Sequence, residues 1–300
     1  MALYLVNDLL PIEKIDEALL RFILDAHAKA PIETLYLESG AIPIRFIIAN
    51  RRINYLQTLL KRDDKELTKK ILKAQLKNTS EGDFAQLVKS DFEQIKLPFD
   101  LKVIENTGMQ TFKSLIKSKV KEAAFNYLNM KLENHSKVKD IKYSKLETQK
   151  YLTSQLFTNK ETSLLFGLRT KTARTFKANF SNLYGGKIAC PLNCWNTKYN
   201  ELAPPDNQEH LLLCENIKLS SNNISRSKTE YSNLFGDIIK QKEIITLFTE
   251  LLEERHKSLN EAEDPPGDNL EPSTSSSKCC KSTKFTHSII CNDGIFIENK

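Results

Sequence analysis

The sequence contains few residues that bind transition metals: six cysteines and five histidines occur among its 300 residues. It also lacks an apolar run approaching the eighteen residues of a membrane-spanning helix. Its first ten residues lack the basic start of a secretory signal, and Asn7 and Asp8 interrupt their apolar run. We therefore expect an intracellular chain, nuclear or cytoplasmic, whose cysteines are metal ligands or free thiols rather than disulfides.

Charge is distributed unevenly along the chain. Residues 111–187 contain 16 Lys and Arg against 5 Asp and Glu, whereas residues 201–300 contain 11 against 17. A basic middle and an acidic end predict that the middle of the chain binds a polyanion. A lysine-rich helix face that is simply exposed to solvent is the alternative explanation.

Apolar residues recur at helical spacing through most of the chain, which predicts a mainly α fold. We expect a helical array over residues 1–180, a small irregular segment over 181–218, C-terminal helices over 229–260 and a disordered tail over 261–300. Two local predictions follow. An apolar face of the first helix comprises Ile12, Ile15, Ala18, Leu19, Phe22 and Ile23. Asp63 and Glu66 have the spacing of a capping box at a helix start.

The irregular segment contains two ligand pairs of the kind that zinc prefers. Cys190 and Cys194 are separated by three residues, fifteen more follow, and His210 and Cys214 are again separated by three. Zinc requires four soft or borderline donors in a tetrahedron, and two closely spaced pairs allow two short loops to hold one ion. The sequence therefore predicts one structural zinc ion, Zn2+, bound by Cys190, Cys194, His210 and Cys214. Unrelated cysteines beside a stray histidine are the alternative.

Several phrases of the chain resemble the region downstream of the reverse transcriptase in non-LTR retrotransposon polyproteins. The resemblance covers about residues 35–255 and is carried by "LYLESGAIPIRFIIANRRINYLQTLL" (35–60), "EGDFAQLVKSDFEQI" (81–95), "LLFGLRTKT" (164–172), "CPLNC…DNQEHLLLC" (190–214) and "YSNLFGDIIKQKEIITLFTELLEER" (231–255). In that family a zinc-knuckle-like element reads Cys-Pro-x-Cys followed by Gln-Glu-His-Leu-Leu-x-Cys. Cys190, His210 and Cys214 match it directly, and Cys194 matches with a one-residue insertion.

The resemblance implies a fragment of a polyprotein, or a remnant of one, that binds RNA or an RNA–DNA hybrid. The paired-aspartate loop of a reverse transcriptase is absent, and so are the endonuclease of such elements and a His-Glu-x-x-His sequence. We therefore expect no enzymatic activity, no membrane partner and no small-molecule substrate. Two other functions remain open: a helical protein-interaction scaffold whose zinc is purely structural, and a decayed transposon remnant without selected activity.

Cationic side chains are interleaved with aromatic ones just before the zinc segment. Cations neutralise phosphates, and an exposed ring can stack on an unpaired base, which is how single strands are bound without sequence reading. Phe176 and Phe180, within the same run, are better explained as core residues. The candidate contacts to a single-stranded nucleic acid are Arg169, Lys171, Arg174, Lys177 and Trp195.

Overall fold

The computed structural model describes residues 9–78, 80, 82–136, 138, 141–173, 190, 192, 195–196, 201–202, 208–214, 217 and 231–263. The fold is mainly α, as predicted. Eleven α-helices, α1 to α11, a 3-10 helix at Tyr231–Phe235 and one two-stranded ladder make up these ranges. The α-helices are Leu9–Ile23, Ile32–Ser39, Ile44–Leu60, Leu67–Lys77, Phe84–Gln94, Leu101–Asn106, Met109–Leu132, Lys150–Thr153, Asn159–Arg169, Gln208–Leu213 and Ile238–Glu263.

The chain forms one compact unit over residues 1–263. Helix α11 continues to Glu263, so residues 261–263 belong to a helix and not to the tail as predicted. The remainder of the predicted disordered tail lies outside the described residues. None of the helices in the described ranges combines the length and apolarity needed to cross a bilayer.

Helix α3 is the centre of the N-terminal part of the fold and contacts α1, α4, α5, α6 and α7. The face of α3 that packs into the core includes Phe46, Ala49, Ile53 and Leu56, each at most 1% exposed. Helix α7 lies against it with a matching row of buried residues at helical spacing, which includes Phe112, Ile116, Val120, Ala124 and Leu128. The regular spacing of these two apolar faces explains why both segments form long helices that pack on each other.

The end of helix α2 joins the N-terminal helices to the segment that follows α7. Gly40 adopts the left-handed conformation, with φ of 70°, and ends α2. A Cβ at this position would lie 2.3 Å from the backbone nitrogen of Thr148, so no larger residue fits. The backbone amide of Gln149 donates to the carbonyl of Glu38 at 2.9 Å. This contact fixes residues 148–149 against α2.

One expected helix start is wrong. Helix α4 begins at Leu67, with Glu66 as its N-cap residue, and the side chain of Asp63 instead accepts from the amide of Lys65 in a turn. The capping box occurs at α9. There the hydroxyl of Thr158 accepts from the amide of Glu161, whose carboxylate accepts from the amide of Thr158. Spacing alone did not distinguish a turn from a helix start, since an acidic side chain can cap either.

Helix α1 exposes most of the apolar face that its sequence predicted. Leu20 and Leu24 point into the core. On the outer side Phe22 is 84% exposed and Ile15 is 69% exposed, and Leu19 and Ile23 accompany them. The helix is thus amphipathic, but its larger apolar side chains point away from the described core.

Candidate metal centre

The C-terminal ligand pair lies on helix α10 and the residue that follows it. His210 lies within this six-residue helix and Cys214 comes directly after its end. Four residues correspond to about one helical turn, so both side chains project from the same side. Leu211 is buried beneath them, and the side-chain amide of Gln208 donates to the carbonyl of Leu168 at 2.8 Å. This short helix is therefore docked on the end of α9.

Cys190 completes a cluster of three metal-binding side chains. The Sγ atoms of Cys190 and Cys214 and a ring nitrogen of His210 all lie within 4.8 Å of one another. Both cysteines are buried and reduced, and His210 is half-buried. A tetrahedral zinc ion with Zn–S bonds of about 2.3 Å separates its ligand atoms by about 3.8 Å. The three residues, called here the metal cluster, can therefore bind a metal ion without a large rearrangement.

The loop between the two ligand pairs contains a short antiparallel ladder that the sequence did not predict. Trp195 pairs with Leu202, and Asn196 pairs with Glu201. Strand β1, Trp195–Asn196, begins immediately after Cys194, and strand β2 is Glu201–Leu202. Cys194 itself lies outside the described residues. The ladder places Glu201 and Leu202 beside the two residues that follow Cys194 in the sequence.

Helix α10, which carries His210, contacts Lys171 just after the end of α9. Lys171 Nζ lies 3.4 Å from Glu209 Oε1, and Glu209 is the residue directly before the ligand His210. Lys171 has a positive φ of 55°, a conformation that is uncommon for a residue with a side chain. The pair places a predicted phosphate contact beside the metal-binding helix. The pair also engages the carboxylate of Glu209.

Arg169 does not contact nucleic acid as predicted, because it lies in the core and is 4% exposed. Its Nε donates to Glu38 Oε1 at 3.0 Å, and its Nη1 donates to the carbonyl of Leu234 at 2.6 Å. The guanidinium carbon also lies 5.4 Å from the ring centre of Tyr151 and 4.7 Å from that of Phe235. With these contacts the guanidinium is fully engaged inside the protein, and no phosphate can reach it.

Burial around Arg169 has marked electrostatic consequences. Burial acts to lower the pKa of Arg169, but the charges of Glu38, Tyr151 and Tyr143 and the hydrogen bond to Glu38 together raise this pKa overall. Burial, followed by the charge of Glu38, raises the pKa of Tyr143 well above its usual range. The hydroxyl of Tyr143 donates to Glu38 Oε1 at 2.6 Å. We call Glu38, Tyr143, Tyr151, Arg169 and Phe235 the Glu38–Arg169 network.

The sequence offered no signal for this network, because Arg169 and Glu38 are 131 residues apart along the chain. Of the other predicted nucleic-acid contacts, Lys171 is half-exposed. Arg174 and Lys177 lie outside the described residues, and for Trp195 the structure describes only the backbone. Among the described residues, Lys171 is therefore the one predicted cationic contact whose side chain is partly exposed.

The chain was compared with protein-family models, with curated proteins and with solved structures, and none of the three comparisons finds a match. Functional inference for this chain therefore rests on its own residues, chiefly the metal cluster and its surroundings.

Proposed function

We propose that this chain binds single-stranded nucleic acid, RNA or the exposed strand of an RNA–DNA hybrid, beside a structural zinc ion. In this proposal Cys190, His210 and Cys214 hold the ion, and Cys194 supplies the fourth ligand. The chain would correspond to the region downstream of the reverse transcriptase in a non-LTR retrotransposon polyprotein.

The donor set favours zinc over harder cations. Two thiolates and one imidazole suit zinc, whereas magnesium and calcium select oxygen ligands. When bound, the ion would supply a cross-link between the Cys190 loop and helix α10 and no catalysis, because Cys and His ligands fill all four positions. Deprotonation of the two buried thiols on binding would make the affinity pH-dependent. The described residues that the ion would join are far apart in sequence but already adjacent in space.

The contact between Lys171 and Glu209 is the observation that supports nucleic-acid binding most directly. It connects the basic segment starting at Lys171 to the residue beside the ligand His210, at 3.4 Å. Metal binding would therefore hold this segment in place for contact with phosphates. Sequence places two further cations, Arg174 and Lys177, in the same segment. A metal-organised cationic segment is a common way to hold a nucleic-acid backbone.

Helix α7 and the residues after it extend the cationic surface. Neighbouring acidic residues neutralise part of it, since Lys119 pairs with Glu122 and Lys145 pairs with Glu147. The remaining exposed lysines still form an excess of positive charge that attracts a polyanion over a Debye length of about 10 Å. They are Lys113, Lys117, Lys131, Lys142, Lys150 and Lys160.

A salt titration of RNA binding tests the proposal. The zinc-loaded full chain is titrated against a fluorescein-labelled single-stranded 20-mer, and anisotropy is followed as the salt concentration rises. With about four phosphates contacted, we expect the affinity to fall about 50-fold between about 50 and 200 mM salt. Lys171→Gln should reduce the salt slope by about 0.7, whereas Lys70→Gln, an exposed lysine on α4, should leave it unchanged.

The same titration tests the connection to the metal. Cys214→Ser should weaken RNA binding, because the Lys171 segment loses its support, whereas Cys291→Ser should not, since Cys291 stands outside the Cys190–Cys214 segment in the sequence. Affinity that does not change with salt, or equal affinities for these two variants, would refute the proposal.

One observation favours the alternative of a protein-interaction scaffold. Helix α1 exposes Ile15, Leu19, Phe22 and Ile23 along one face, and adjacent exposed apolar side chains often mark a protein contact. A scaffold with a purely structural zinc predicts zinc binding without salt-dependent RNA affinity. The anisotropy titration therefore separates the two functions.

A further inference from the structure

A small cavity opens between the residues that follow α1 and one side of α9, and Thr172 and Ala173 close its far end. Its volume is about 220 Å3, below the roughly 300–1,000 Å3 of sites for drug-sized ligands, so it fits a group about as large as one nucleobase. Leu164, Phe166, Gly167 and Ala173 form its apolar wall. The polar side chains around it are Asp25, His27, Lys160, Ser163 and Thr172.

The polar groups of the cavity are oriented by contacts within the protein. Ser163 Oγ donates to Asp25 Oδ2 at 2.8 Å, which fixes the carboxylate and leaves it able to accept further hydrogen bonds. The backbone amide of Lys29 donates to His27 Nδ1 at 3.0 Å. This contact holds the imidazole ring of His27 at the border of the cavity. The cavity thus offers an oriented acceptor, the Asp25 carboxylate, beside an apolar wall.

The backbone on both sides of the cavity adopts unusual conformations. Asp25 has a φ of 45° and Lys171 a φ of 55°, two of the three positive values at non-glycine residues in the described ranges. Such backbone conformations concentrate at ligand sites. At the back of the cavity, a Cβ on Gly167 would lie 2.9 Å from Ala173 Cα, so this glycine permits the close turn that shapes the wall.

We propose that this cavity binds one unstacked nucleobase that carries an exocyclic amino group, and so selects adenine, cytosine or guanine over uracil. The inference rests on the proposed function, because it assumes that a nucleic-acid strand passes beside Lys171. The Asp25 carboxylate accepts from the amino group, as acidic side chains do with cytosine. The apolar wall contacts the base surface, and the ring of His27 borders the bound base.

The charges around the cavity favour a base over a free phosphate. The Asp25 carboxylate would repel a phosphate that entered the cavity, whereas it matches the donor of a base. Lys160, exposed on the first turn of α9, borders the cavity and can neutralise the phosphate attached to the bound nucleotide. The arrangement thus accommodates a base inside and its phosphate at the rim.

Comparison of homopolymers tests the base preference. The zinc-loaded full chain is titrated with labelled single-stranded oligo-A, oligo-C and oligo-U of equal length at one salt concentration. We expect oligo-A or oligo-C to bind at least about fivefold more tightly than oligo-U. Asp25→Asn should abolish this difference without changing the salt slope. Glu133→Gln, an exposed carboxylate on the turn after α7 that does not border the cavity, should retain the difference.

A direct measurement separates the cavity from RNA binding in general. AMP and CMP should shift the ring resonance of His27, identified by its loss in His27→Gln, whereas ribose 5-phosphate should leave it unchanged. Circular dichroism verifies that each variant is folded. RNA binding with equal affinity for all three homopolymers, or an unshifted His27 resonance with both nucleotides, would overturn the base site alone. Absence of RNA binding would instead refute the proposed function.

Discussion

The helices around α3 and the segment that carries the metal cluster differ in what holds them in place. In α3 a seventeen-residue helix buries four apolar residues almost completely, among them Ile53 and Leu56. Helix α10 has six residues, too few to be stable alone. It is held by the burial of Leu211, by the hydrogen bond from Gln208 to Leu168 and, in the proposed function, by the zinc ion that His210 and Cys214 bind. The comparison suggests that core changes unfold the whole chain, whereas metal loss acts locally.

The Glu38–Arg169 network joins α2 to α9, the helix on which α10 is docked, and breaking it should have the largest effect. Arg169→Leu removes the cation that neutralises Glu38, which is 0% exposed. Leaving a buried charge without its partner costs about 3–5 kcal/mol. We expect the free energy of unfolding to fall by about 4 kcal/mol, measured by urea denaturation followed at 222 nm.

The control for this change is Lys242→Leu, which removes the cation of a half-exposed ion pair with Glu161. Such pairs contribute about 0–1 kcal/mol. Equal losses in the two variants would show that the buried network contributes no more than a surface pair, and that the two regions are joined mainly by apolar contacts.

A cavity in α3 tests the apolar side of the comparison. Ile53→Ala removes three carbon atoms from a residue with 0% exposure, and comparable changes cost about 2–5 kcal/mol. We expect a loss of about 3 kcal/mol in one cooperative transition. Leu67→Ala, at a residue 70% exposed, is the matched control and should change stability by less than about 0.5 kcal/mol. A loss below about 1 kcal/mol for Ile53→Ala would contradict the central role of α3.

Loss of the metal should affect α10 more than the rest of the chain. We expect Cys214→Ser to abolish the binding of one equivalent of zinc and to raise amide hydrogen exchange at residues 208–214, while the amides of α3 keep their protection. Cys291→Ser should retain one equivalent. If both variants bound one equivalent of zinc, the proposed metal centre would be refuted. Increased amide exchange throughout α3 would show that metal loss destabilises the whole chain rather than α10 alone.

Much of the fold could be predicted because helical periodicity survives in a single sequence. The rows of apolar residues in α3 and α7 indicated long helices, and both are present. Periodicity did not show which apolar face meets the core. In α1 the predicted face includes Phe22 and Ile15, yet these are among its most exposed residues and Leu20 is buried. Which side of an amphipathic helix packs inward depends on neighbours that lie far away in sequence.

For the site, local spacing predicted more than charge did. Cys190, His210 and Cys214 were identified from spacing and are close together in space. Arg169 was assigned to a nucleic acid because it is cationic and stands near other cations. A charged residue is buried when a partner from elsewhere in the chain neutralises it, and the partner Glu38 belongs to α2. Only the tertiary contact distinguishes a buried arginine from an exposed one.

The smallest expected effect concerns Asp64, an exposed carboxylate just before α4 that pairs with Lys69 and Lys73. Hydrogen bonds from Lys73 and Lys69 lower the pKa of Asp64 to about 2, from an ordinary value of 3.8. A carboxylate whose pKa is depressed by folding stabilises the folded state above its unfolded pKa, and this contribution is lost as the pH falls. The free energy of unfolding of the native chain should therefore decline between pH 3.8 and about 2 more steeply than that of Asp64→Asn. Because Asp64 is fully exposed, the difference should shrink in high salt, whereas the loss in Arg169→Leu should not. If high salt left the stability difference between the native chain and Asp64→Asn unchanged, the Asp64 ion pair would be shielded from solvent ions like the buried Glu38–Arg169 network.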